Sequence, residues 1–147
     1  MSTFPLPPGS TIGILGGGQL GRMLALAAAR LGFDVVILDP EENSPAGRVA
    51  ARQIVGAYDD RWSLKRLAEA CDVVTYEFEN VPAATVAELT AQGVLVAPGA
   101  KALAAAQDRV VEKTFLAEIG VPTVAFAAVE TADDLAAAVA RIGAPSL

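Results

Sequence analysis

The 147-residue sequence predicts an α/β fold, a parallel sheet with helices on its faces, from three observations. Short β-rich runs alternate with amphipathic helical stretches, the order expected of βαβ units. The run DVVILD (34–39) is apolar through its middle, as a strand covered on both faces must be. The stretch TIGILGGGQLGRM (11–23) passes from an apolar strand into a helix through G-x-G-x-x-G at Gly16, Gly18 and Gly21.

Each element follows from its local sequence. TIGIL (11–15) is the first strand, and the next helix carries Leu20, Leu24, Ala27 and Leu31 at helical spacing until Gly32 stops it. QIVGA (53–57) follows DVVILD as a short third strand. Leu64, Leu67, Ala68 and Cys71 share one face of a helix over 60–71, and DVVTYE (72–77) is the fourth strand. Pro82 suits the first position of a helix running to about Gln92, capped by Asn80, and GVLVAPG (93–99) gives a fifth strand. These elements make a Rossmann-like domain over residues 11–100, preceded by a loose arm, 1–10, with prolines at 5, 7 and 8.

Beyond Pro98-Gly99 the character changes. KALAAAQ (101–107) is a short linker helix, and Asp108 caps a second one, RVVEKTFLAEI, expected to bury Val111, Phe115 and Ile119. Gly120 and Pro122 end it, and TVAFAAV (123–129) reads as another strand. Thr131 and Asp134 resemble a capping box for a last helix with Leu135, Val139 and Ile142 inward, closed by Gly143. Residues 101–147 therefore read as the beginning of a further domain, and APSL has the look of a truncation.

Composition narrows the chemistry. With no histidine and one cysteine, Cys71, the chain has no His/Cys zinc cluster, no Ser-His or Cys-His nucleophile pair and no internal disulfide, and it suits a reducing, cytoplasmic compartment. Net charge is −6 with scattered basic residues, which argues against nucleic acid as partner. No apolar run approaches the ~18 residues of a membrane span, and MSTFPLPPGS lacks the features of a signal peptide. A small-molecule site remains.

The glycine turn is where such a site forms. Glycines permit positive φ and close approach, and a helix N-terminus offers free N–H groups to an anion. Asp39 ends the second strand roughly 20 residues on, the offset at which an acid binds a ribose diol in NAD or FAD domains. A dinucleotide, a plain tight turn, and another small molecule at the same switch point all fit these facts. Gln19, bulky and polar in the loop, and Arg22, just after the last glycine, weigh against the dinucleotide. YEFENVP (76–82) adds Glu77 and Glu79 at the carboxyl end of the fourth strand, pointing to opposite sides if extended. One of them can accept hydrogen bonds from sugar hydroxyls, or both can decorate a helix N-terminus.

Three segments together, GILGGGQLGRM, YEFENVP and QDRVVEKTFLAEIGVPT (107–123), closely resemble the 5-(carboxyamino)imidazole ribonucleotide synthases, purine-pathway members of the ATP-grasp superfamily. The resemblance runs from about Thr11 to the C-terminus and implies a Rossmann-like pre-ATP-grasp domain plus the start of an ATP-grasp domain. It further implies ATP-dependent carboxylation of 5-aminoimidazole ribonucleotide with bicarbonate, magnesium as the ATP-bound metal, and a homodimeric full-length protein. By the same resemblance Gly18, Gln19, Leu20, Glu77 and Asn80 belong to the ribonucleotide site, and Arg109 to the ATP phosphates. The ATP-binding lysine, the lid and the magnesium carboxylates are expected after Leu147, so this stretch alone should not catalyse. The sister formate-dependent glycinamide ribonucleotide transformylase is the nearest alternative within the superfamily. It carries an acidic residue where Gln19 stands. A stand-alone dinucleotide module and a noncatalytic dimerisation domain are the alternatives outside it.

Overall fold

The computed structural model describes residues 5–144, and they fall into two compact units that divide between Leu103 and Ala104. The first unit is built on five parallel strands: β1 (Thr11–Leu15), β2 (Asp34–Asp39), β3 (Arg52–Val55), β4 (Val73–Tyr76) and β5 (Leu95–Val96). Their order is β3-β2-β1-β4-β5. Chain direction across the sheet therefore reverses between β1 and β4, and a crevice opens there at the strands' carboxyl ends. Helices α1 (Gln19–Arg30), α2 (Arg61–Ala70) and α3 (Ala83–Ala91) are the crossovers, and α4 (Ala100–Ala106) follows β5. The α/β class, the parallel sheet and its flanking helices are as the sequence predicts.

Strand alternation divides the core in two. Val35 and Ile37 join Ile14, Ala25, Ala28 and Ala46 on the α1 side, whereas Val36 and Leu38 join Leu64, Leu67, Val86 and Leu89 on the side of α2 and α3. Both faces are covered, which is why β2 is apolar through its middle.

Two packing expectations are corrected. The leucines of α1 do not face the sheet: Leu20, Leu24 and Leu31 are exposed, and the buried residues are Gly21, Ala25 and Ala28. The helix lies too close to the glycine turn for larger side chains, since a Cβ on Gly21 would meet the Gly16 carbonyl oxygen at 2.5 Å. Asn80 does not cap α3. Pro82 is its N-cap, with no side-chain hydrogen bond, and Asn80 lies exposed in the preceding turn. Gly32 does stop α1, with φ at +83°.

The N-terminal arm expected over 1–10 falls partly outside the described residues. Its end is tied down, with Gly9 N–H donating to Gly32 O at 2.7 Å.

The second unit contains α5 (Arg109–Glu118) and α6 (Ala132–Ile142). Asp108 caps α5 by accepting from Val110 and Val111 N–H, and Thr131 and Asp134 form the expected capping box. The expected strand at 123–129 is absent. Those residues join no sheet among the described residues, and an isolated strand has no ladder to satisfy its backbone. Nor are Val111, Phe115, Ile119, Leu135 and Val139 inward: all are exposed, and Ile142 is only partly covered. So short a unit cannot surround them with a core of its own.

Candidate functional site

The glycine turn after β1 and the segment after β4 meet at the crevice. Gly16 has φ at +110°, which turns the chain out of the strand and into α1. Glu77 extends the β4 ladder by donating its N–H to Leu15 O at 3.1 Å. Its side chain then reaches under the turn. Glu77 Oε1 accepts from Gly18 N–H at 3.0 Å, and Oε2 accepts from Gly21 N–H at 2.8 Å. A Cβ on Gly18 would stand 2.7 Å from Oε1, so the contact needs glycine there.

Asp39 closes the turn from the other side. This carboxylate is buried; its Oδ2 accepts from Gly17 N–H at 2.7 Å and from the Tyr58 hydroxyl at 2.8 Å, and its Oδ1 from Glu41 N–H at 2.8 Å. Neither Asp39 nor Glu77 is in an ion pair among the described residues. Their charges are balanced by backbone N–H dipoles and the positive end of α1.

The seat at which a nucleotide phosphate docks in dinucleotide-binding domains is thus filled by the protein's own carboxylates. The anion expected at this helix N-terminus is Glu77 itself. Both acids of YEFENVP had α3 as a candidate helix to decorate, and Glu77 takes α1 instead. Two N–H groups of the first turn stay open: no described residue accepts from Gln19 or Leu20. Both residues are exposed. A ligand reaching this turn meets two backbone donors, the Gln19 amide and the remaining acceptor directions of Glu77. That combination matches a hydroxylated or amide-bearing ligand better than a bare phosphate.

The structure therefore brings Gly18, Gln19, Leu20 and Glu77 together, and leaves Asn80 in an exposed turn three residues on. Arg109 lies in the second unit, at the start of α5, where its exposed guanidinium pairs with Glu112. Arg22 is not at the ligand face, because Nη1 donates to Pro45 O at 2.9 Å and ties α1 to the loop before β3. A cavity of about 1150 Å³ lies away from the turn, lined by Cys71, Ala87, Leu95 and Val96 together with Asp72, Thr90, Gln92 and Lys101. Cys71, there, has its thiol pushed up to about 12 by burial.

Sequence reasoning missed Tyr58. The one available signal was an aromatic hydroxyl just past the carboxyl end of a parallel strand, in GAYDD (56–60).

Comparison with known proteins places this arrangement. The model of the ribonucleotide synthetase preATP-grasp domain matches residues 9–107, the whole sheet and the glycine turn included. The chain belongs to this family. The chain is similar to an N5-carboxyaminoimidazole ribonucleotide synthase of Brucella melitensis, 52% identical over 143 residues, which are 97% of this chain and 39% of that protein. Among solved structures, the ADP complex of purK, an N5-carboxyaminoimidazole ribonucleotide synthetase, matches with TM-score 0.86 and 41% identity over 95% of this chain and 37% of that one. The Aspergillus clavatus synthase in complex with ADP and 5-aminoimidazole ribonucleotide matches with TM-score 0.81 and 35% identity, covering 94% of this chain and 37% of that one. The chain thus corresponds to the N-terminal portion of these relatives and spans less than half their length.

Proposed function

We propose that this chain is the ribonucleotide-binding portion of an ATP-dependent carbon–nitrogen ligase that carboxylates 5-aminoimidazole ribonucleotide. Bicarbonate supplies the carbon, the exocyclic amine of the aminoimidazole supplies the nitrogen, and ATP is converted to ADP and phosphate. The observation that carries this reading is the Glu77 clamp. With Gly18 and Gly21 N–H held by its carboxylate, the turn is closed to a pyrophosphate and open to a sugar.

In this reading the chain contributes binding and orientation. Gln19 and Leu20 N–H donate to the ribonucleotide, and Glu77 accepts from ribose hydroxyls through lone pairs its backbone donors leave free. Holding the amine in a fixed place raises the rate of its attack by proximity. Arg109 reaches ATP phosphate oxygens with a guanidinium fork, exchanging its Glu112 pairing for the ligand. Asn80, exposed beside the crevice, supplies a further amide to the substrate side. No group of three or more acidic, cysteine or histidine side chains is gathered among the described residues. They do not form a seat for the magnesium that would accompany ATP.

We further propose that the complete protein is a cytoplasmic homodimer and that this stretch alone is inactive. The lone cysteine supports the reducing compartment, and no helix among the described residues is long and apolar enough to cross a membrane. Gln19 favours the imidazole substrate over glycinamide ribonucleotide, whose enzymes carry an acidic residue there.

The test is an ADP-release assay on the complete protein, omitting each substrate in turn, beside calorimetric titration with aminoimidazole ribonucleotide and with NAD. ADP release that depends on aminoimidazole ribonucleotide and bicarbonate is expected, with no NAD heat. Binding of NAD without the ribonucleotide overturns the reading. In the same assay Glu77→Ala raises the KM for the ribonucleotide far more than that for ATP, and equal effects count against the assignment of Glu77.

A further inference from the structure

Tyr58, between β3 and α2, has no task in the reading above, yet three of its groups are engaged. Its hydroxyl donates to Asp39 Oδ2 at 2.8 Å, the oxygen that also accepts Gly17 N–H. Its ring meets Phe78, the residue after Glu77, edge-on with centroids 5.4 Å apart. Its carbonyl accepts from the Thr85 hydroxyl of α3 at 2.7 Å, and Thr85 is buried. Tyr58 is thus fixed to one helix while touching both segments that clamp the glycine turn.

The chemistry of these contacts is one-directional. Burial, the hydrogen bond to Asp39 and the nearby Asp39 and Glu77 charges hold the phenol far above its ordinary pKa, so it keeps its proton and donates. Both acceptor directions of Asp39 Oδ2 are then filled. Without the hydroxyl, a buried carboxylate lacks one donor and can rotate off Gly17. Without the ring, Phe78 loses its seat, and Glu77 is the next residue along the chain.

We propose that Tyr58 is a positioning residue for the ribonucleotide-binding turn. Its hydroxyl orients Asp39 on Gly17 and its ring seats Phe78 beside Glu77, so that Gln19 and Leu20 present their N–H groups in one geometry. The inference rests on the substrate assignment of the preceding section. Tyr58 touches no reacting atom, so its effect is on binding of one substrate.

The experiment compares Tyr58→Phe, which removes only the hydroxyl, with Tyr58→Leu, which also removes the ring, both in the complete protein. The KM for aminoimidazole ribonucleotide is expected to rise about fivefold in Tyr58→Phe and further in Tyr58→Leu, with the KM for ATP within about twofold of wild type. Amide hydrogen exchange at Gly17 should accelerate about tenfold in Tyr58→Phe, because its acceptor is loosened. A melting temperature that falls while the ratio of the two KM values stays constant shows a merely structural role and overturns the proposal. Unchanged Gly17 exchange also overturns it. Wild type without ribonucleotide-dependent ADP release overturns the substrate assignment, and the role of Tyr58 with it. If Tyr58→Leu does not fold, the KM ratio and exchange rate of Tyr58→Phe decide alone.

Discussion

Glu77→Gln keeps the size of the side chain and reverses the hydrogen-bonding sense of one terminal atom. The native carboxylate accepts from Gly18 N–H at 3.0 Å and from Gly21 N–H at 2.8 Å. The amide retains one acceptor, and its NH2 group faces an N–H that it cannot accept from. One charge-assisted bond, typically about 1.5–3 kcal/mol, is lost, and the other becomes a neutral bond. The favourable placement of negative charge at the α1 N-terminus, about 0.3–1 kcal/mol, goes too. Glu77 is only partly buried, so water compensates some of this, and the lower end applies: about 2 kcal/mol in all. At about 4–8 °C per kcal/mol for a domain of this size, the melting temperature should fall by about 8–16 °C. Circular dichroism melts of wild type, Glu77→Gln and Glu77→Ala measure this directly. A Glu77→Gln melt within about 2 °C of wild type would refute the argument, because a carboxylate that holds the turn cannot be neutralised so cheaply.

The other predictions concern single contacts. Gly21→Ala should cost about 1–3 kcal/mol, because the new Cβ meets the Gly16 backbone oxygen at 2.5 Å and no flexible side chain can yield; an unchanged melting temperature contradicts this packing. Gly18→Ala should be milder, since the atom in its way is the movable Glu77 Oε1. In the complete protein Arg109→Ala is expected to raise the KM for ATP about tenfold while the ribonucleotide KM holds, and an ATP KM that does not move removes Arg109 from the phosphate site. The Ser63 hydroxyl and N–H, donating to Asp60 at the start of α2, hold its carboxyl below the ordinary range. The sign follows from a folded pKa below the unfolded one: the stabilisation is present above the unfolded pKa and lost as pH falls through the folded value. Wild type and Asp60→Asn should therefore differ in stability at neutral pH and converge in acid, and a carbon-13 titration placing Asp60 at the ordinary value would contradict this.

The sheet was legible because its evidence is local. Apolar runs, Gly32, the Asp108 cap and the Thr131–Asp134 box each act within a few residues. The α1 face was not, because hydrophobic spacing marks Leu20, Leu24 and Leu31, whereas the distance between helix and turn selects Gly21, Ala25 and Ala28. The strand expected at 123–129 had β-rich composition but depends on a partner strand, which no periodicity reports. At the site, Gly18, Gln19, Leu20 and Glu77 were identified as a group by resemblance. That Glu77 holds the turn, with Asp39 opposite, depends on contacts spanning 59 and 22 residues. Tyr58 was invisible for the same reason: its partners come from β2, α3 and the segment after β4.

An anion tethered to the chain differs in kind from one borrowed from solution. Glu77 stands at the α1 N-terminus at an effective concentration set by the fold, independent of what the surrounding medium contains. Phosphate or sulfate in a buffer has no vacancy to compete for at Gly18 and Gly21, and dialysis removes nothing from them. The turn therefore reaches its working shape when the sheet forms rather than when a ligand arrives. Whatever ordering cost the ligand meets elsewhere, it meets none in these backbone amides.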